Sequence, residues 1–102
     1  MKVQTESVKF KADQKLITHI EKKLSKLDQF FDRIIGAEVK LRLENSGQVR
    51  DKIVEIRLSV PGTALFAKET SKSFEAATDL VLDNLKRQIA KYKAKLRLRG
   101  AR

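Results

Sequence analysis

Two stretches of the chain place an apolar residue at every third or fourth position, which is the spacing of one face of an α-helix. The first follows Asp13, a suitable helix cap, and its apolar positions are Leu16, Ile20, Leu24, Leu27 and Phe31. The second is predicted to run from residue 74 to at least residue 96, with Ser73 as its cap. Its apolar positions are Phe74, Ala77, Val81, Leu85, Ile89, Tyr92 and Leu96. Such a helix is roughly 35 Å long, so we expect its C-terminal turns to project from the domain.

Other stretches alternate apolar and polar residues, which is typical of strands with one buried face. The alternating residues lie at 39–43 and at 54–60, and the turn-forming residues Asn45, Ser46 and Gly47 stand between the two runs. These two strands are predicted to form a hairpin. Residues 3–10 indicate an edge-like first strand, and residues 63–68 indicate a short fourth strand after the Pro61-Gly62 turn.

The predicted order of elements is therefore β-α-β-β-β-α. The chain length of 102 residues fits a single domain over residues 1–102. Both helices have one apolar face and the strands alternate, so the fold class is α+β. The expected architecture is a four-stranded sheet with two helices packed on one face. Lys40, Arg42, Glu55 and Arg57 would then lie on the solvated face of the sheet.

The distribution of charge changes this picture of an ordinary small domain. The chain has 23 Lys and Arg against 13 Asp and Glu, a formal net charge of +10. All thirteen acidic residues lie at or before Asp83, whereas residues 84–102 carry basic residues and no acid. A strongly basic end on a nearly neutral domain indicates a polyanionic partner.

Helical geometry assigns these cations to particular sides of the helices, because each residue advances by about 100°. Lys22 and Lys26 fall on one flank of the first helix with Lys15. On the second helix, Lys86, Lys93 and Arg97 line one flank, while Arg87 and Lys91 line the other. The helix dipole favours two or three cations near a C-terminus, but it does not account for eight without a counter-charge. We therefore predict a surface that binds nucleic acid.

The aromatic residues bear on which nucleic acid is bound. Most of the six aromatic residues fall on apolar faces, and Tyr92 is expected in the core, so a platform that stacks single-stranded bases is disfavoured. Phosphate contacts to structured RNA, recognised by its shape, fit the pattern better.

Little in the sequence indicates catalysis. The chain has no cysteine, its only histidine is His19, and its four glycines do not form a phosphate-binding loop. We expect a protein that is not an enzyme, with no cofactor, metal or small-molecule substrate. A secretion signal and a membrane span are also lacking, so no membrane partner and a cytoplasmic location are expected.

Two separated runs resemble a known family. They are KLSKLDQFFDRI at 23–34, and AATD at 76–79 followed by LKRQIAKYKAKL at 85–96. Both are similar to the ribosome hibernation-promoting factors and the related ribosome-associated inhibitor, also called protein Y. The resemblance implies a stationary-phase or stress factor that binds the whole ribosome at its small ribosomal subunit. There it would occupy the channel used by messenger RNA and transfer RNA.

The resemblance also implies which residues face ribosomal RNA. Those that match basic positions of the family are Lys23, Lys26, Arg87, Lys91, Lys93 and Lys95. Helical geometry adds Lys22, Lys86 and Arg97 to this set. One run departs from the family, since Ser73-Phe74-Glu75 stands where many members have Asp-Met-Tyr. The chain stops at Arg102, as in the short form, and whether it supports ribosome dimers is left open.

The order of elements also fits a second interpretation. The order α-β-β-β-α within the chain also occurs in double-stranded RNA-binding domains, so a general structured-RNA-binding protein or RNA chaperone is the alternative.

Overall fold

A computed structural model describes residues 1–46 and 49–100 of the chain. Its elements are β1 (Lys2–Ser7), α1 (Gln14–Phe30), β2 (Gly36–Ser46), β3 (Val49–Val60), β4 (Thr63–Ser71) and α2 (Phe74–Gly100). The predicted order β-α-β-β-β-α is confirmed. A turn was predicted at 45–47. The structure instead continues β2 through Ser46, and Gly47 lies outside the described residues.

The four strands form one sheet in the order β1-β2-β3-β4. β1 is an edge strand that pairs in parallel with β2, while the other two pairings are antiparallel. Thr5, Val39, Ile56 and Ala67 lie opposite one another across the sheet and mark its inner side. Every strand residue of the buried core cluster has its side chain on this inner side of the sheet, and both helices contribute residues to the same cluster. Both helices therefore pack on the inner side. The prediction of two helices on one face is confirmed.

The sequence placed the ends of two strands incorrectly. β1 was expected over 3–10 but ends at Ser7. The N–H of Val8 still donates to the carbonyl of Leu41 at 2.9 Å, but Lys9 has a φ of 62°, which turns the chain away from the sheet. β4 was expected over 63–68 but continues to Ser71, because its pairing with β3 extends to Lys52.

Both predicted helix caps are formed. The Asp13 carboxylate accepts from the N–H of Lys15 at 3.1 Å, and the Ser73 hydroxyl accepts from the N–H of Ala76 at 3.1 Å. Helix α2 has 27 residues and is therefore about 40 Å long. Among its described side chains, Leu96 is the last that packs against the core, and Leu98 is 76% exposed. The last turns project as predicted.

The outer face of the sheet is solvated, with Lys40, Arg42 and Arg57 exposed as expected. Glu55 differs, because it is half-buried between two cations. Its carboxylate lies 3.3 Å from Nε of Arg42 and 3.9 Å from Nζ of Lys68. Among the residues described, no helix is both long and apolar enough to span a membrane.

Candidate nucleic-acid interface

Basic side chains from both helices meet in a groove between α1 and α2. Lys23 and Lys26 approach it from α1, and Lys86 approaches it from α2. Leu82, Asp79 and Asp83 complete the lining. We call this surface the interhelical groove. Three predicted RNA-binding residues, widely separated in the sequence, are thus brought together by the packing of the two helices on the same sheet face.

The two aspartates make the interhelical groove less positive than its lysines alone would. Nζ of Lys23 lies 3.8 Å from Oδ1 of Asp79, and both side chains are substantially exposed. An exposed pair at this distance stabilises the fold weakly, because water screens it. Lys26 and Lys86 form no ion pair with any of the residues that the structure describes. The interhelical groove therefore offers an anion the ammonium groups of Lys26 and Lys86. The charge of the third ammonium, on Lys23, is partly neutralised by Asp79.

Further along α2, exposed cations continue away from the groove. Arg87, Lys91 and Lys95 are exposed and form no ion pair within the described part of the chain. We call these three residues the α2 ridge. Arg97, on the flank of Lys86, is exposed as well. Lys22 is exposed on α1 but does not line the interhelical groove. The interhelical groove and the α2 ridge share helix α2 but lie on opposite flanks of it, so a polyanion that contacts both must cross the helix.

Lys93 has a different environment from the other cations. It is half-buried, and its Nζ donates to the carbonyl of Phe30 at 3.1 Å. The same ammonium lies 4.9 Å from the centre of the Phe30 ring. Phe30 is the last residue of α1, where carbonyl groups lack partners within the helix and a cation is favoured. Lys93 therefore ties the C-terminal end of α1 to α2 while adding its charge to the surface.

Tyr92 is held partly in the core, as the sequence predicted. Its ring packs edge-on against Phe31 with a centroid distance of 5.6 Å, and its hydroxyl donates to the carbonyl of Pro61. This hydrogen bond fixes the turn between β3 and β4 against α2. The turn needs Gly62, whose φ of 84° lies in the left-handed region.

The run that departs from the family resemblance has structural contacts of its own. Ser73 caps α2, and Glu75 places a carboxylate in its first turn, where the helix dipole favours an anion. Phe74 is buried and stacks on Phe10 with ring centroids 5.3 Å apart. The segment at 73–75 therefore secures the start of α2 against the loop that follows β1.

Sequence reasoning missed three features of this surface. Asp79 and Asp83 line the interhelical groove, and Lys93 contacts the end of α1. Asp79 could have been noticed, because it lies one turn before Asp83 and two turns before Lys86 on α2. The contact between Lys93 and Phe30 joins residues 63 positions apart, and no local pattern signals it. Among the described residues, no group of three or more His, Asp or Glu side chains is arranged to hold a metal ion.

Comparison with known proteins adds independent information. The family model described as "Sigma 54 modulation protein / S30EA ribosomal protein" matches residues 3–97. A ribosome hibernation promotion factor from Deinococcus radiodurans is 37% identical over 78 residues, which are 76% of this chain and 41% of that protein. A ribosome hibernation promoting factor from Klebsiella oxytoca is 39% identical over 75 residues, which are 74% of this chain and 75% of that protein. The match thus spans less than half of the Deinococcus protein.

Solved structures agree with the fold described above. A ribosomal subunit interface protein from Coxiella burnetii superimposes with a TM-score of 0.81 and 26% identity, covering 92% of this chain and 99% of that one. The N-terminal domain of Thermus thermophilus Protein Y gives a TM-score of 0.77 and 26% identity, covering 90% and 99%. Since a family model covers nearly the whole chain and related sequences and folds agree with it, the chain belongs to the Sigma 54 modulation protein / S30EA ribosomal protein family, together with the ribosome hibernation promoting factors.

Proposed function

We propose that this protein binds the ribosome as a hibernation factor in the cytoplasm and inhibits translation during stationary phase or stress. Its site is the small ribosomal subunit, in the channel that messenger RNA and transfer RNA use. Family membership and the names of the relatives support ribosome hibernation as the process. The observation that carries the proposal is that Lys26 of α1 and Lys86 of α2 meet in one groove, while the α2 ridge presents exposed cations on the other flank of the same helix.

The proposed mechanism is steric occlusion. The ammonium and guanidinium groups of the interhelical groove and the α2 ridge would contact phosphates of ribosomal RNA, with Lys22 and Arg97 at the margins of this surface. Phosphate contacts fix position without reading sequence, which suits a protein that must hold a place in a channel. Lys93 contributes its charge, while its ammonium also orders the surface by joining the two helices.

The salt dependence of binding tests this mechanism. If about six phosphate contacts form, the logarithm of the affinity for purified small subunits should fall with the logarithm of salt concentration with a slope of about −4 to −5. A flat response would overturn the proposal. Lys26→Gln should weaken binding, and Lys40→Gln is a matched control, because Lys40 is exposed on the outer face of the sheet. If Lys26→Gln and Lys40→Gln lose the same affinity for small subunits, the interhelical groove is excluded as the contact surface.

Competition separates occlusion of the channel from general RNA binding. A protein in the channel should be displaced from small subunits by bound transfer RNA, whereas a general double-stranded RNA binder should be unaffected. Sucrose-gradient fractionation of growing and starved cells then tests the timing. Co-sedimentation with ribosomes chiefly in starvation is expected, and sedimentation only at the top of the gradient in both conditions would refute the proposal.

A further inference from the structure

A second groove lies beside the α2 ridge, where α2 passes the turn between β3 and β4. Its walls are the turn at 61–63 and the ridge lysines Lys91 and Lys95. Leu65, Tyr92 and Leu96 supply apolar surface within it. The groove has a volume of about 440 Å³, which is within the range of small-molecule sites. We call it the turn groove.

From this arrangement we infer that the turn groove binds one unpaired nucleotide of RNA, with its base on the apolar surface and its phosphate at Lys91 and Lys95. This inference rests on the proposed function, because it names a nucleotide that the same cationic surface would take from its RNA partner. It adds a contact to a base, whereas the contacts proposed above are all to phosphates.

The chemistry of the groove fits a nucleotide better than a phosphate group alone. Lys91 and Lys95 are one helical turn apart, about 6 Å along the axis, so both can reach one phosphate. Both are exposed and form no ion pair with the described residues. A phosphate would gain nothing from the neighbouring Leu65, Tyr92 and Leu96, whereas a base buries its planar face on such side chains. One nucleotide carries both the anion and the apolar plane.

The walls of the groove are also held in place before any ligand binds. The hydroxyl of Tyr92 donates to the carbonyl of Pro61, which fixes the turn against α2. The side-chain amide of Gln88 donates to the carbonyl of Phe66 at 2.8 Å and ties β4 to the same helix. The position where a Cβ of Gly62 would stand has no heavy atom within 4 Å, so the turn leaves open space beside the groove. A preformed groove reduces the entropic cost of binding.

Nuclear magnetic resonance titration of the free protein tests the groove without the ribosome. Adenosine 5′-monophosphate should cause saturable shifts of the backbone amides of Gly62, Thr63, Leu65 and Tyr92. Ribose 5-phosphate, which lacks the base, should bind at least about fivefold more weakly if the base contributes. Equal affinity for the two compounds would reduce the groove to a phosphate contact and overturn the inference, as would the absence of shifts at these amides.

Two matched tryptophan variants connect the groove to the ribosome. Thr63→Trp fills the turn groove without changing the charge, and Thr70→Trp places the same side chain at an exposed position of β4 outside the groove. Thr63→Trp should abolish the nucleotide shifts and weaken binding to small subunits about tenfold. Thr70→Trp should do neither. If Thr63→Trp binds small subunits as tightly as Thr70→Trp, the inference is wrong.

The two proposals fail in distinguishable ways. If the wild-type protein binds small subunits with the expected salt slope but adenosine 5′-monophosphate leaves the groove amides unshifted, only the nucleotide inference is rejected. If the nucleotide shifts these amides but the protein does not bind small subunits, the proposed ribosomal function is rejected and the groove itself stands as a nucleotide site.

Discussion

Replacing Lys93 by methionine tests whether this cation stabilises the contact between the helices. Lys93→Met keeps an unbranched side chain of similar length, so the aliphatic packing is retained while the ammonium is lost. Two interactions are removed: the hydrogen bond from Nζ to the carbonyl of Phe30 at 3.1 Å, and the contact with its ring at 4.9 Å. Helix α1 has no basic residue in its own last turn, so its own sequence does not replace this cation.

The expected loss follows from these two contacts. A cation near a helix C-terminus contributes about 0.3–1 kcal/mol, and an exposed cation–π contact contributes about 0.5–1 kcal/mol. One ammonium makes both contacts, so the contributions overlap, and the free energy of unfolding should fall by about 1 kcal/mol. In a domain of this size, such a loss lowers Tm by about 4–8 °C.

Urea and thermal denaturation of matched variants provide the assay. Lys91→Met removes the same charge from the same helix but breaks no ion pair with the residues that the structure describes, so its unfolding free energy should change by less than about 0.5 kcal/mol. A double-mutant cycle with Phe30→Leu isolates the pair, and a coupling of about 0.5–1 kcal/mol is expected. Equal stability of Lys93→Met and Lys91→Met, with zero coupling to Phe30, would refute the assignment of Lys93 as a link between the helices.

Three further substitutions give separate expectations. Lys86→Gln should reduce the magnitude of the salt slope for small-subunit binding by about 1, because one phosphate contact is lost; an unchanged slope would place Lys86 outside the interface. Asp79→Asn should tighten the same binding in a filter assay, since it releases Lys23 and removes a negative charge from the interhelical groove, and weaker binding would contradict this. Ser73→Ala should lower the free energy of unfolding by about 1 kcal/mol in urea titration through loss of the α2 cap, whereas unchanged stability would mean that the cap contributes nothing.

Much of the fold could be predicted because its signals are local. The spacing of Leu16, Ile20 and Leu24 defined the buried face of α1, and the alternation around Ile56 defined the inner side of β3. The caps at Asp13 and Ser73 form between neighbours in the chain and were predicted correctly. The ends of the strands were harder to predict from the sequence. β1 ends where Lys9 adopts a positive φ and Phe10 packs on Phe74, a contact that spans 64 positions and has no local signature.

Some features of the candidate site could likewise be predicted from local sequence patterns, and others depend on how the helices pack. Helical periodicity placed Lys86 and Arg97 on one flank of α2 and Lys91 on the other, because these positions depend only on the repeat of a single helix. It did not show that Lys86 faces Lys26 across a groove containing Asp79, since that depends on how two helices pack on one sheet. It also treated Lys93 as equivalent to its neighbours, although the end of α1 holds its ammonium.

By itself, the sequence determined the element order, the apolar faces and the concentration of positive charge at one end, because each follows from residue type and short-range spacing. Tertiary structure decided which of those charges are free for a partner. Packing brings Asp79 against Lys23 and Phe30 against Lys93, and it leaves Lys91 and Lys95 beside the turn at 61–63. The physical reason is that electrostatic and hydrogen-bonding interactions act over a few ångströms in space, whatever the separation along the chain.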